Sequence, residues 1–324
     1  MNKSNPISEF RWAPNPDLQT HTGQRQLLDV DFFMPPPPEI GALVSASTTL
    51  VRSTKLISEK KLISIILNIG IVVMLAMTLA FSWSRGSFTK LSLESIMISA
   101  LSTIGLMGGI WYLMIDKIPK NYCSYIGEKG LAEYELTGDR TGHPKENLLM
   151  FTNGSRLYTN VTNWYASGMY FDTSYCYTWI KNTENSFQIT GSFRTKKNVP
   201  LTENDRWHFA NTSDLAWTNY LISTIDTQLA QNGYIEFVLL STKDDLESLR
   251  VGPDFLEFVS KKDGSQRVIR SDIQNMAIDG ENLQFKHQDR SWWYERGSLI
   301  FQYNRIPNHR VFEICLREWL NIEL

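Results

Sequence analysis

The chain has 324 residues, with 32 Lys and Arg against 34 Asp and Glu, which gives a formal net charge of −2 at pH 7. A nucleic-acid binder usually carries a concentrated basic surface, so this balance argues against that class of protein. The three cysteines, Cys123, Cys176 and Cys315, are widely spaced and odd in number, which implies neither a disulfide framework nor a zinc site.

The first 55 residues are interrupted by prolines, including an unbroken run at residues 35–38. Proline ends helices and strands, so we predict a flexible tail over residues 1–55. The run itself predicts a short polyproline II segment, which acts either as a spacer or as a docking peptide for an aromatic groove.

Two uncharged apolar stretches follow, at residues 62–83 and 95–115. A helix needs roughly 20 apolar residues to cross about 30 Å of hydrocarbon, and both stretches are long enough. The alternative is a buried hairpin of a soluble protein, but residues 65–77 are apolar on all sides rather than along one stripe. We therefore predict a transmembrane helical hairpin within residues 56–120.

Basic residues flank this predicted hairpin. Arg52, Lys55 and others precede the first stretch, and Lys117 and Lys120 follow the second. Positively charged flanks favour the cytoplasm. The sequence thus predicts a multi-pass integral membrane protein whose N- and C-termini are both cytoplasmic.

Small residues recur four apart within the two stretches. Gly105 and Gly109 form one such step, and Ala76 and Ala80 form another. Small residues at this spacing let two helices approach closely in a membrane. We predict that these four residues pack the helices of the hairpin against each other.

Beyond residue 121 the pattern changes to alternating strands and amphipathic helices. Residues 186–194 alternate apolar and polar side chains, as a half-buried strand does. One helix is predicted after the capping candidates Thr212, Ser213 and Asp214, and another ends the chain. The order of strands then helix occurs twice, which predicts one domain over residues 121–240 and a second over residues 241–324.

This layout resembles that of pleckstrin-homology-like (PH-like) domains, in which a C-terminal helix closes an antiparallel sheet. Several short sequence segments resemble segments of bacterial membrane-anchored PH-like proteins of unknown function. These segments are residues 126–134, 170–178, 207–210, 251–257, 269–280 and 306–312. The resemblance implies an α+β fold class, a transmembrane hairpin followed by tandem PH-like modules. It implies a binding or scaffolding role and does not identify a ligand.

Aromatic residues give the candidate interface. Trp292, Trp293 and Tyr294 are consecutive, and successive side chains of a strand point to opposite faces, so at least one is exposed unless covered. Together with Arg296 they form a candidate protein interface. A second aromatic group, at residues 164–179, is expected mainly to pack in the core.

No catalytic signature accompanies these features. The sequence contains no Gly-x-Ser-x-Gly elbow, no phosphate-binding glycine loop and no His-Glu-x-x-His helix. We expect no catalytic residues, no metal and no cofactor. The sequence therefore predicts a non-enzymatic, membrane-anchored scaffold that binds protein partners or its own oligomer. The alternatives are a sensor of a lipid headgroup or small molecule, and an accessory subunit of a membrane transport complex.

Overall fold

The structure is a computed structural model of the 324-residue chain. The residues it describes are 11–26, 29–51, 120–137, 143–181, 184–193, 206–240, 245–289, 291 and 297–324, with helical residues 64, 67–73, 75, 76, 79, 80, 97, 101–103 and 105.

The first half of the described chain contains a four-stranded antiparallel sheet, ordered β1-β2-β3-β4, and a three-stranded antiparallel sheet, ordered β5-β6-β7. A long helix, α1, follows them. The bounds are β1 Leu43–Thr48, β2 Lys120–Gly127, β3 Gly130–Thr137, β4 Lys145–Met150, β5 Ser155–Ala166, β6 Met169–Lys181, β7 Glu184–Phe193 and α1 Arg206–Asn232.

The second half repeats this order. A four-stranded sheet, β11-β10-β9-β8, precedes a three-stranded sheet, β12-β13-β14, and helix α2 closes the series. The bounds are β8 Ile235–Val238, β9 Leu246–Val251, β10 Phe255–Ser260, β11 Gly264–Ile269, β12 Ile273–Asp279, β13 Asn282–His287, β14 Ser298–Gln302 and α2 His309–Leu320. Gly264 and Gly280 each follow an aspartate at a turn and have positive φ angles of 75° and 61°.

One apolar cluster runs through both halves. It includes Trp179 and Trp217 from the first half and Phe258, Phe285 and Phe312 from the second, all with no exposed surface. Burying one large apolar side chain stabilises a fold by roughly 1.5 to 3 kcal/mol. The two sets of strands therefore share a core.

Helix α1 begins at Arg206, earlier than its predicted caps. Ser213 and Asp214 are buried inside the helix instead of capping it. The sequence pattern places the start of α1 too late. Phe209 also packs into the shared core, so the apolar face of the helix extends further towards the N-terminus than the sequence indicates.

The segment with the prolines is part of the fold. Strand β1 pairs antiparallel with β2, and the Phe32 and Phe33 side chains are 2% and 1% exposed. At Gly127, a Cβ atom would lie 2.3 Å from the carbonyl oxygen of Ile40, so only glycine permits this close approach. The described part of the segment thus differs from a flexible tail, because burial of its aromatic residues offsets the entropy of ordering the chain.

His21 also holds this segment against the sheet. Its Nδ1 lies 2.9 Å from the Ser45 hydroxyl and its Nε2 lies 2.8 Å from the Ser124 hydroxyl. Burial, with a smaller contribution from His208, lowers the pKa of His21 from 6.5 to about 3. The imidazole is therefore neutral at neutral pH, with one ring nitrogen donating a hydrogen bond and the other accepting one.

Parts of the predicted transmembrane spans, residues 62–83 and 95–115, lie outside the described residues. Throughout the described part of the chain, no helix has both the length and the apolar character that crossing a membrane requires. The predicted multi-pass membrane localisation with cytoplasmic termini is therefore wrong.

The predicted fold class, a transmembrane hairpin followed by tandem PH-like modules, is corrected as well. The described chain is mostly antiparallel β-sheet, and no hairpin of two transmembrane helices is seen among the described residues. The physical reason is that hydropathy reports a preference for apolar surroundings. It does not by itself establish one continuous helix of membrane-spanning length.

Candidate functional site

The aromatic group at residues 164–179 divides into a buried part and an exposed part. Tyr175, Tyr177 and Trp179 are buried, with 4%, 4% and 0% of their surfaces exposed. The rings of Tyr175 and Tyr177 contact Trp207 of α1, with centroids 5.2 Å and 6.1 Å away. For this part of the group, the predicted role in core packing is correct.

The exposed part lies at the far end of the β5–β6 hairpin. Four side chains there, which we call the apolar tip, expose more than half of their surface: Trp164 55%, Tyr165 64%, Met169 72% and Phe171 53%. Along β5, every residue from Asn160 to Ala166 except Thr162 is exposed, whereas a strand packed on one face would alternate. This end of the hairpin therefore projects from the core.

The sequence at the turn explains why the hairpin is long and tight. Ser167 and Gly168 have φ angles of 51° and 77°, as the two-residue turn that best matches strand twist requires. Ala166 pairs with Met169 directly across this turn. A tight turn at this point lets the strands continue, paired, well beyond the last buried residue.

Hydrogen bonds hold the projecting part in one conformation. The Trp164 indole N–H donates to the Ser174 hydroxyl at 2.9 Å, and the Thr173 hydroxyl donates to the Asn163 side-chain oxygen at 2.7 Å. The Tyr165 and Tyr170 rings make an edge contact, with centroids 6.1 Å apart. The apolar tip is thus presented by a preorganised element, which lowers the entropic cost of binding.

The base of the hairpin is joined to the second half of the chain through Asn308. Its side-chain oxygen accepts hydrogen bonds from the Leu157 backbone N–H at 2.9 Å and from the Trp217 indole N–H at 2.8 Å. Its own backbone N–H donates to the Leu157 carbonyl at 2.7 Å. Asn308 therefore fixes β5, α1 and the start of α2 relative to one another.

A cleft of about 220 Å³ lies beside this base, between β5 and the second half. Its polar lining includes Thr159, Asn160, Glu281, Asn304 and His309. The Thr159 hydroxyl and His309 Nδ1 are 3.0 Å apart, and burial lowers the pKa of His309, although nearby carboxylates act in the opposite direction. At neutral pH the cleft therefore offers mostly uncharged hydrogen-bonding groups.

Behind the cleft, an ion pair joins the two helices. The Arg310 guanidinium donates to the buried carboxylate of Asp214 and, at 3.0 Å, to the side-chain oxygen of Asn211. The Asp214 side chain is only 2% exposed, so its charge depends on Arg310 for compensation. We assign this pair to positioning α2 against α1.

A second polar cleft, of about 390 Å³, contains Arg206 and Glu133. Arg206 donates from Nε and Nη2 to the two Glu133 carboxylate oxygens at 3.0 Å and 2.9 Å, and its guanidinium lies 4.4 Å from the Tyr122 ring centre. Burial raises the pKa of Glu133 although Arg206 opposes that shift. Because the guanidinium is already engaged within the chain, this arrangement is typical of a structural ion pair.

The residues of the predicted protein interface, Trp292, Trp293, Tyr294 and Arg296, all lie outside the described residues. That interface stays a prediction.

Of the predicted helix-packing residues, Gly109 is also outside the described residues. Ala76 and Ala80 are exposed, and a Cβ atom on Gly105 would have no described atom within 4 Å. No close packing at these three residues is therefore seen in the described part of the chain.

Within the described residues, no group of three or more His, Cys, Asp or Glu side chains is placed to hold a metal ion. Cys123 and Cys315 are buried, and burial raises the pKa of the Cys123 thiol to about 11 and that of Cys315 to about 12. Both thiols are thus protonated at neutral pH and poorly suited to act as nucleophiles.

Comparison with known proteins does not identify a family. No protein-family model matches the chain, and a search of curated proteins found no significant match.

Proposed function

We propose that this chain is a non-enzymatic binding protein that holds a protein partner through the apolar tip of the β5–β6 hairpin. The observation that carries the proposal is the exposure of Trp164, Tyr165, Met169 and Phe171 on one projecting element. Clustered, exposed aromatic side chains on a rigid support are the usual anchors of protein interfaces.

The chemistry of the tip suggests what the partner surface is like. Residues 157–171 contain no Asp, Glu, Lys or Arg, although such residues make up 20% of the chain. An uncharged, aromatic projection fits an apolar groove or a strand edge on another protein. It offers no cationic group that would bind phosphate or nucleic acid.

The order of elements is the same in the two halves of the described chain. Each half has a four-stranded sheet, a three-stranded sheet and a following helix. The resemblance to PH-like proteins stays a prediction, and the proposal above does not depend on it.

The test compares partner capture by the full chain and by variants of the tip. Trp164→Ala and Phe171→Ala should each reduce the amount of co-purified partner by about tenfold or more, since an interface anchor contributes about 2 kcal/mol or more. Ile300→Ala is the matched control, because Ile300 is a similarly exposed apolar residue, at 60%, on β14.

Thermal unfolding of each variant shows whether the fold is intact. Unchanged capture by both tip variants, with unchanged unfolding, would contradict the proposal. Equal loss of capture in the Ile300→Ala control would also contradict it, because the effect would then be independent of the tip.

A second candidate function, sensing a small molecule, is favoured by the cleft beside Asn308. The mostly uncharged lining suits a small neutral molecule with several hydroxyl or amide groups. Native mass spectrometry of the full chain should then show a retained small molecule, and Asn304→Ala should abolish its retention. Asn282→Ala, an exposed asparagine outside the cleft, is the control.

A further inference from the structure

Strand β5 has an open edge along the projecting part of the hairpin. It lies at the end of its sheet, in the order β5-β6-β7, and among the described strands it pairs with β6 alone. Near its start, Asn308 and His309 cover the edge through their contacts with Leu157 and Thr159. For residues 160–166, the described structure shows no backbone hydrogen bonds other than those of the β5–β6 pairing.

Residues 160–164 of this edge lack the features that usually prevent edge-to-edge pairing. Proteins protect exposed edges with Lys, other charged residues, Pro or bulges. Residues 160–166 contain no charged residue and no proline. The irregularity in pairing with β6 falls between Trp164 and Tyr165, which leaves residues 160–164 as a regular open edge.

The absence of charged residues on this edge favours a second copy of the chain as the partner, paired through the same edge of its own β5. Two identical edges that pair antiparallel are related by a two-fold axis, so the residue at the axis lies opposite its own copy and the equivalent residues next to it lie diagonally across the pair. A charged residue there would face a like charge, which destabilises a sheet. The uncharged residues 157–171 avoid this opposition along the whole projecting part of β5.

Resting on the proposed function, we propose that the partner of the hairpin is a second copy of this chain, bound by antiparallel pairing of the two β5 edges. The backbone groups of residues 160–164 supply the hydrogen bonds between the strands. Centring this pairing on Thr162 places Trp164 of each copy opposite Asn160 of the other, so the paired strands cover part of the exposed surface of Trp164.

Sedimentation velocity of the full chain over a range of concentrations tests this pairing. We expect a monomer–dimer equilibrium, and Val161→Lys should raise its dissociation constant by about tenfold or more by placing like charges on the two paired edges. Val161 is 46% exposed, so the fold should tolerate the substitution. Ile300→Lys is the matched control, because β14 is also an edge strand and Ile300 is exposed.

A monomeric chain at every soluble concentration would overturn the pairing, and so would a dimer that Val161→Lys leaves unchanged. The proposed function is judged separately. If the chain is monomeric but Trp164→Ala and Phe171→Ala still reduce capture of another protein, the tip binds a different partner. If capture is also unaffected, both proposals fail.

Discussion

Asn308 provides the sharpest test of how the two halves are joined. Replacing it by alanine removes the acceptor shared by the Leu157 backbone N–H and the Trp217 indole N–H. Leu157 and Trp217 have no exposed surface, so water cannot take the place of the lost oxygen without rearrangement of the core. Alanine must also adopt the left-handed conformation of Asn308, with φ 51° and ψ 43°.

The expected loss follows from these contributions. Leaving one buried donor without a partner costs about 1 to 3 kcal/mol, and Asn308→Ala leaves two. The left-handed conformation adds about 1 kcal/mol for alanine relative to asparagine. We therefore expect the free energy of unfolding to fall by at least about 3 kcal/mol, a large part of the roughly 5 to 15 kcal/mol typical of a folded protein.

Equilibrium unfolding in urea measures this loss, with Asn321→Ala as the matched control. Asn321 adopts nearly the same left-handed conformation, with φ 52° and ψ 45°, but it is exposed at the end of α2. Its replacement should cost only about 1 kcal/mol. Equal losses in the two variants would refute the view that the Asn308 side chain joins β5, α1 and α2.

Three further predictions concern buried groups. Because His21 stays neutral in the folded chain between pH 6.5 and about 3, whereas the unfolded chain takes up a proton there, the free energy of unfolding should fall by about 1.4 kcal/mol per pH unit as the pH drops through this window. Urea titrations on both sides of pH 6.5 should show a shallower fall for His21→Asn, and an unchanged slope would contradict the burial of His21. Phe312→Ala should cost about 3 to 5 kcal/mol in the same assay because Phe312 is fully buried against Phe237, and a loss below 1 kcal/mol would place it outside the core. Arg206→Ala should cost about 3 to 5 kcal/mol by leaving the Glu133 carboxylate buried and unpaired, and adding Glu133→Gln should recover most of that loss; no recovery would mean that the charge is not the cause.

Local features of the fold could be predicted from the sequence. The alternation of residues 186–194 predicts a strand, and β7 covers Glu184–Phe193. The amphipathic pattern at the C-terminus predicts a helix, and α2 covers His309–Leu320. Such features depend on neighbours a few residues apart, which the sequence displays directly.

Features that depend on contacts between residues far apart in the sequence could not be predicted. His21 contacts Ser124 across 103 positions of the chain, and Asn308 contacts Leu157 across 151. No spacing rule links such pairs, so the burial of the N-terminal segment and the junction at Asn308 appear only in the folded chain.

The candidate site was also only partly predictable from the sequence. The aromatic group at residues 164–179 was recognised from its composition and expected mainly in the core. An alternating pattern identifies a strand, but it does not show where that strand leaves the core. The uncharged run at residues 157–171 and the Ser167–Gly168 turn were the signals that could have pointed to a projecting hairpin.

Hydrogen exchange of the backbone amides, measured on the chain in its native complex and on the isolated chain at high dilution, tests most directly whether the β5–β6 hairpin is the binding element. We expect the amides of residues 160–172 to exchange more slowly in the complex, while those of the exposed edge strand β14 are unchanged. Unchanged exchange at residues 160–172, with slower exchange at another surface, would contradict this account.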